Sequence, residues 1–232
     1  TDNETIRQET GWYRGMDGQW RFEIDDSGME FRKNGDARLM KEDGYRRLDE
    51  LTEKWGKAFE NGDDLSDAEM QEMERLQEEY KDAVWEEKYL LRDFVKHDEL
   101  FKAYPALNRV SLVFDSLSDG ARGYFSKRDN TIVLSDTLFG KEPDVVLHEL
   151  QHVIQNMEGF TGGASLRYWN DRMERGFSKR WASGEEMMPS ELYRNTAGEI
   201  EARDTASRRR MTAEERKNTP PDLGDADTVF AD

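Results

Sequence analysis

Apolar residues change their spacing along this chain, and the changes divide it. In the first 35 residues, Trp12 to Arg14 and Trp20 to Ile24 flank Gly15-Met16-Asp17-Gly18, a turn-rich connection that predicts a β-hairpin. From about Asp36 to Tyr104 the spacing becomes helical. Leu48, Leu51, Trp55 and Phe59 share one face. After a break at Asn61-Gly62-Asp63-Asp64, Ser66-Asp67-Ala68-Glu69 opens a second helix as a capping box, and Met70, Met73, Leu76, Tyr80 and Val84 continue its stripe. From about Leu107 alternation returns. Val110 to Phe114 reads as a strand, and Arg122 to Phe125 and Thr131 to Leu134 flank Lys127-Arg128-Asp129-Asn130 as a hairpin.

Val146, Leu150, Val153 and Met157, at spacings of four, three and four, then predict a helix from about Glu142 to about Glu158. Pro143 suits its first turn, where the missing N–H costs nothing, and Gly159 suits the position just past its end. Another helix is expected to begin near Ser190 and to end at Arg208-Arg209-Arg210, whose charge complements its C-terminal dipole. After Pro220-Pro221 little is apolar except Val229-Phe230, which predicts a mobile tail.

The chemistry sits on the 142–158 helix, in His148-Glu149-Leu150-Gln151-His152. Residues four apart share a helix face, so both imidazoles can reach one Zn²⁺, and Glu149 can reach a water beside them; this is the HExxH pattern of zinc hydrolases. The chain has only three histidines, so two of them here are not a by-product of composition. The apolar stripe lies roughly opposite the histidine face.

A catalytic zinc site needs a third protein ligand. There is no cysteine, and the remaining histidine, His97, lies in a charged helical stretch. The metzincin spacing falls on Glu158, but the glycine it needs three residues earlier is Gln155. In several zincins a glutamate ligand stands in a Glu-x-x-Ala context, where the small residue lets two helices approach, and Glu199 with Ala202 fits this. Glu201 lies about 200° round the helix from Glu199, so only one of the two can face the metal. Glu199 is the preferred third ligand, with Glu201 and Glu158 as alternatives.

The stretch Leu147 to Phe160, followed by Gly162-Gly163 and by Gly198-Glu199-Ile200-Glu201-Ala202-Arg203, resembles metallopeptidase-like domains in the large polyvalent proteins of bacteriophages and conjugative elements. The opening Thr10 to Asp25 looks like the N-terminal segment of the same group. The resemblance implies a gluzincin-like domain inside a multidomain mobile-element protein, with His148 and His152 as zinc ligands and Glu149 as base. It implies no substrate.

The expected fold is therefore α+β and zincin-like: a small, mostly antiparallel sheet packed on the HExxH helix, an acidic helical hairpin inserted before it, and a helical C-terminal half. The zones are an N-terminal hairpin segment (1–35), an acidic helical region (36–105), the metallopeptidase core (106–218) and the tail (219–232). The expected activity is zinc-dependent peptide-bond hydrolysis on a protein or peptide, the parent chain included. A strand beside the cleft, Thr131 to Ser135 or Gly120 to Phe125, would pair with the substrate. Tyr193 is a candidate oxyanion donor, although on a regular helix it lies about 120° from the Glu199 face. Gly159 to Gly163 and the aromatics from Tyr168-Trp169 to Trp181 either shape the cleft or pack a core.

Of the 232 residues, 35% are hydrophobic and 37% charged, so charged helices form much of the surface. The net charge of -17 argues against nucleic acid as a partner. No apolar run is long enough for a membrane span and no signal peptide is visible, which suggests a cytoplasmic protein or one delivered with a mobile element. The start at Thr1 suggests an excised or processed domain. Two other functions fit: an inactive, zinc-stabilised interaction module, or a domain whose acidic helices bind a basic partner. Oligomeric state is not legible.

Overall fold

A computed structural model describes residues 2–31, 47, 50–58, 64–80, 89–118, 120–135, 138 and 142–231. It is a mixed α+β fold with small, mostly antiparallel sheets. Helix α1 (Asn3–Thr10) leads into strands β1 (Trp12–Arg14) and β2 (Trp20–Phe22), which pair antiparallel as the expected hairpin. The hairpin was legible but α1 was not, because Asn3–Thr10 carries a single aliphatic residue, Ile6, and so no stripe. The helix is instead held at its ends. Asp2 caps it by accepting from Thr5 N–H at 2.8 Å, and Gly11 closes it at φ +79°.

In the acidic region, α2 (Asp67–Tyr80) opens as predicted, with Glu69 reaching back to Ser66 N–H. Met70, Met73 and Leu76 pack with Leu51 and Leu65 in a small separate core. Lys54–Glu69 and Arg47–Glu72 tie α2 to the preceding helical residues at 2.5 and 3.0 Å. Trp55, expected on the buried face, is 39% exposed. Leu48, Phe59, the break at Asn61-Gly62-Asp63 and Val84 lie outside the described residues, as does the Tyr80 side chain.

The main sheet holds β4 (Tyr89–Leu90), β6 (Ser111–Asp115), β8 (Thr131–Ser135) and β7 (Gly123–Ser126), in that order; a short β3 (Glu30–Phe31) pairs separately with β5 (Val95–Lys96). β6 and β8 are parallel and the other two pairings antiparallel. β7 and β8 form the predicted hairpin, whose turn places Asn130 at φ +48°. Every residue of β8 is buried and the strand is paired on both sides, whereas β7 lies at the edge among the described residues. Of the two strands considered for substrate pairing, only the second lies at the sheet edge among the described residues.

α3 (Leu91–Phe94) and α4 (Asp98–Ala103) precede the sheet's centre, and α5 (Glu142–Glu158) packs across it. Val146, Leu150 and Val153 are buried against Leu112, Ile132 and Leu134, each worth about 1.5–3 kcal/mol by apolar burial. Met157 is partly buried on the same core, and Gly159 ends the helix at φ +68°. His97 sits elsewhere, buried as the N-cap of α4. Its Nδ1 accepts from Leu100 N–H, so Nε2 donates to Asp26 at 2.9 Å.

The C-terminal half contains α6 (Leu166–Glu174), α7 (Pro189–Arg194), α8 (Ala197–Arg208) and α9 (Ala213–Asn218). The single helix expected from Ser190 is thus two, interrupted at Asn195-Thr196. Trp169, Met187, Leu192 and Val229 form their own core, with Tyr168 and Trp181 packed against it, so these aromatics serve packing. The tail is also fixed rather than free at Val229, whose N–H donates to Asn195 O and whose carbonyl accepts from Ala197 N–H, both at 2.8 Å. Among the described residues no helix is long and apolar enough to cross a membrane.

Ion pairs and charged hydrogen bonds join the N-terminal segment to these helices. Glu23 accepts from Arg208 Nε at 2.8 Å and from Arg216 Nη1 at 2.7 Å, and Arg7 donates to the carbonyls of Arg216 and Lys217 that end α9. Arg208 is therefore a buried ion-pair partner and not an exposed complement to a helix dipole; Arg209 and Arg210 pair with Asp144.

Asp204, beside this network, is pushed by burial from the ordinary 3.8 up to about 6, against the pull of Arg208. The folded state thus holds a proton that the unfolded chain has lost between these values, and stability falls as pH rises through that window. Asp204→Asn should stabilise the protein at pH 7 by about 1–2 kcal/mol, after allowing for solvent screening, and by little near pH 4. Urea unfolding at both pH values measures this; an equal gain at both would contradict it.

Candidate metal centre

Helical spacing places His148 and His152 on one face of α5, and the second wall comes from α8. There Glu199 projects between the imidazoles: its Oε1 lies 3.3 Å from His152 Nε2 and its Oε2 3.4 Å from His148 Nε2. The two Nε2 atoms are 3.3 Å apart. One ligand atom from each of the three residues falls within 4.8 Å of the others, a group that can hold a metal ion. Glu199 is nearly inaccessible, while the His148 side chain is 20% exposed, so the cluster is closed beneath and open above.

The alternatives point elsewhere. Glu158 is exposed at the far end of α5. Glu201 is buried on the other side of α8, accepting from Arg21 Nε at 2.5 Å and Gln151 Nε2 at 3.1 Å. Ala202 is fully buried where α5 and α8 approach, as the Glu-x-x-Ala context suggested.

The charges follow from this packing. Burial works to raise the Glu199 carboxyl, but the two imidazoles outweigh it and hold the group at about 2. Burial likewise opposes charge on His152, and Glu199 overcomes it, raising the imidazole to about 9 in the metal-free protein. Glu149 differs: it is 4% exposed, and burial pushes its carboxyl up despite both histidines. The backbone N–H of Phe125, on edge strand β7, lies against it.

Tyr193 also reaches the site, because the interruption at Asn195-Thr196 redirects α7 and removes the 120° offset of a continuous helix. Burial, followed by the Glu199 charge, pushes its phenol far above the usual range.

Sequence spacing did not reveal how closely the loop after α5 closes on the ligands. A Cβ on Gly163 would collide with Glu199 Oε1 and the His152 ring, and one on Gly198 with the Gly162 carbonyl, whereas one on Gly162 would meet nothing within 4 Å. Gly163→Ala is therefore expected to cost about 1–3 kcal/mol and to disturb the ligands, while Gly162→Ala is tolerated. Denaturation midpoints of the pair test this, and equal effects would contradict it.

Residues 1–32 match the family described as large polyvalent protein associated domain 23. The N-terminal segment is thus similar to a component of polyvalent proteins, and the match ends before any residue of the metal cluster. No curated protein and no solved structure matches the chain.

A cavity of about 160 Å³ lies between the hairpin residues Trp12, Trp20 and Phe22 and the side of α5 bearing Leu147, Leu150 and Ile154. None of the three clustered ligands lines it, so the site's chemistry rests on its side chains and not on this hollow.

Proposed function

We propose that this chain is a zinc-dependent peptidase of the gluzincin kind with a zincin-like core, whose ligands are His148, His152 and Glu199. The observation that carries the reading is the convergence of these three residues beside a buried Glu149. A divalent cation suits the cluster. Glu199 Oε2 is buried without a hydrogen-bond partner, and the carboxylate faces the two imidazole nitrogens, which themselves stand 3.3 Å apart. Two histidines and one carboxylate form a borderline N/O donor set appropriate to Zn²⁺, and three protein ligands leave the open position of a catalytic site.

Bound zinc supplies a Lewis acid and lowers the pKa of water. Glu149 takes the proton as water attacks the peptide carbonyl, then returns it to the leaving amine. Burial, which raises the Glu149 carboxyl above the ordinary carboxylate range, favours its taking up that proton. Tyr193, held neutral, donates a hydrogen bond to the developing oxyanion. The position of β7 at the sheet edge among the described residues, running past Glu149, supports an extended peptide as substrate, paired strand to strand.

The test is to incubate zinc-loaded and chelator-treated protein with unfolded proteins and with longer forms of the parent chain, and to follow new termini by mass spectrometry. Zinc-dependent cleavage is expected. Absence of cleavage by fully loaded protein across varied substrates would favour the inactive, zinc-stabilised module instead.

A further inference from the structure

The N-terminal hairpin, about 130 residues from the histidines in sequence, is joined to His152 by a continuous line of buried hydrogen bonds. At the far end is Arg21 on β2. All five of its N–H donors are used: two on Glu201 at 2.5 and 3.1 Å, two on Asp17 at 2.7 and 3.1 Å, and one on Gln19 O at 3.2 Å. The Phe160 ring lies 4.0 Å from the guanidinium carbon, and Asp17 also accepts from Thr161 N–H at 3.0 Å. Arg21 is thus locked both to the hairpin and to the loop leaving α5.

Glu201 passes the constraint on. Its Oε2 accepts from Gln155 Nε2 at 3.2 Å, and the same Nε2 donates to Gly198 O at 3.0 Å. An amide end facing two acceptors must be the NH₂ end, which fixes the orientation of Gln155. Its Oε1 then faces His152 Nδ1 at 2.9 Å and can only accept, so Nδ1 carries hydrogen and Nε2 is the nitrogen presented to the cluster with His148 and Glu199.

We infer that Arg21, acting through Glu201 and Gln155, is a positioning residue that sets the tautomer and orientation of His152, which makes the segment similar to large polyvalent protein associated domain 23 an integral part of the metal centre. The inference rests on the reading of His152 as a metal ligand. Without Arg21, Glu201 loses the two donors that hold its carboxylate in place against Gln155. Gln155 is then free to turn its NH₂ toward His152, and a proton on Nε2 competes with the metal.

The test compares Arg21→Met and Gln155→Leu with wild type. Zn²⁺ affinity is measured by chelator competition, and exchange of the His152 Nδ1–H by NMR of metal-free, ¹⁵N-histidine-labelled protein. Both variants are expected to lose about 10–100-fold in affinity, the usual effect of removing a partner behind a ligand, and to exchange that proton at least about tenfold faster. Arg21→Lys should not rescue, because one ammonium cannot make both two-pronged contacts. Arg208→Met removes a different anchor of the same segment and serves as the control: lower thermal stability with unchanged affinity and exchange.

If Arg21→Met does not fold, Gln155→Leu cuts the line beyond the hairpin and carries the test. Folded variants that keep wild-type exchange and bind zinc within twofold of wild type would overturn the inference while leaving the zinc reading intact. A wild type that binds no zinc, yet whose slow Nδ1–H is lost in the variants, would overturn the zinc reading and leave the relay standing.

Discussion

Glu149→Gln is expected to keep its zinc and its fold while peptidase activity falls by at least about 10²–10⁴-fold, the usual contribution of a positioned general base. Burial already disfavours the charged form of Glu149, so a neutral isostere should fold as well as wild type at neutral pH, or better. None of the three clustered ligand atoms belongs to it, so metal content should be unchanged. The measurement pairs metal analysis with mass spectrometry of new termini. Equal cleavage by wild type and Glu149→Gln would point to a contaminant or to another mechanism.

The second large effect concerns the third ligand. Purified wild type should carry about one zinc per chain, and His148→Ala or His152→Ala should abolish it. Glu199→Ala removes the carboxylate that lies within 3.4 Å of both imidazoles and should empty the site nearly as completely. Glu158→Ala, at an exposed position, should have no effect. Glu201→Ala should fall between them, since it touches Gln155 and not the cluster. Full occupancy in Glu199→Ala with an empty Glu158→Ala would show the ligand to be misassigned. A wild type still metal-free after incubation with zinc at neutral pH would remove the basis of the proposed function.

What the sequence alone determined is whatever depends on direction within one continuous element. A helix turns about 100° per residue, so His148, His152, the adjacent Glu149 and the opposed stripe of Val146, Leu150 and Val153 follow from spacing. The same holds for the bounds of α5, where Pro143 and Gly159 act locally. For Glu199 against Glu201, spacing showed only that one of them could face the histidines; how α8 docks on α5 decided which. The tertiary structure also decided Tyr193, which a continuous helix would have turned away and the interruption at Asn195-Thr196 brings in. It decided that Arg208 is buried and that Val229 pins the tail, because a partner's charge or a backbone hydrogen bond from a distant segment leaves no periodic trace. The link from Arg21 to His152 is the extreme case: each member is an ordinary polar residue in its own neighbourhood, and only the packing of the hairpin against α5 and α8 makes them one line of hydrogen bonds.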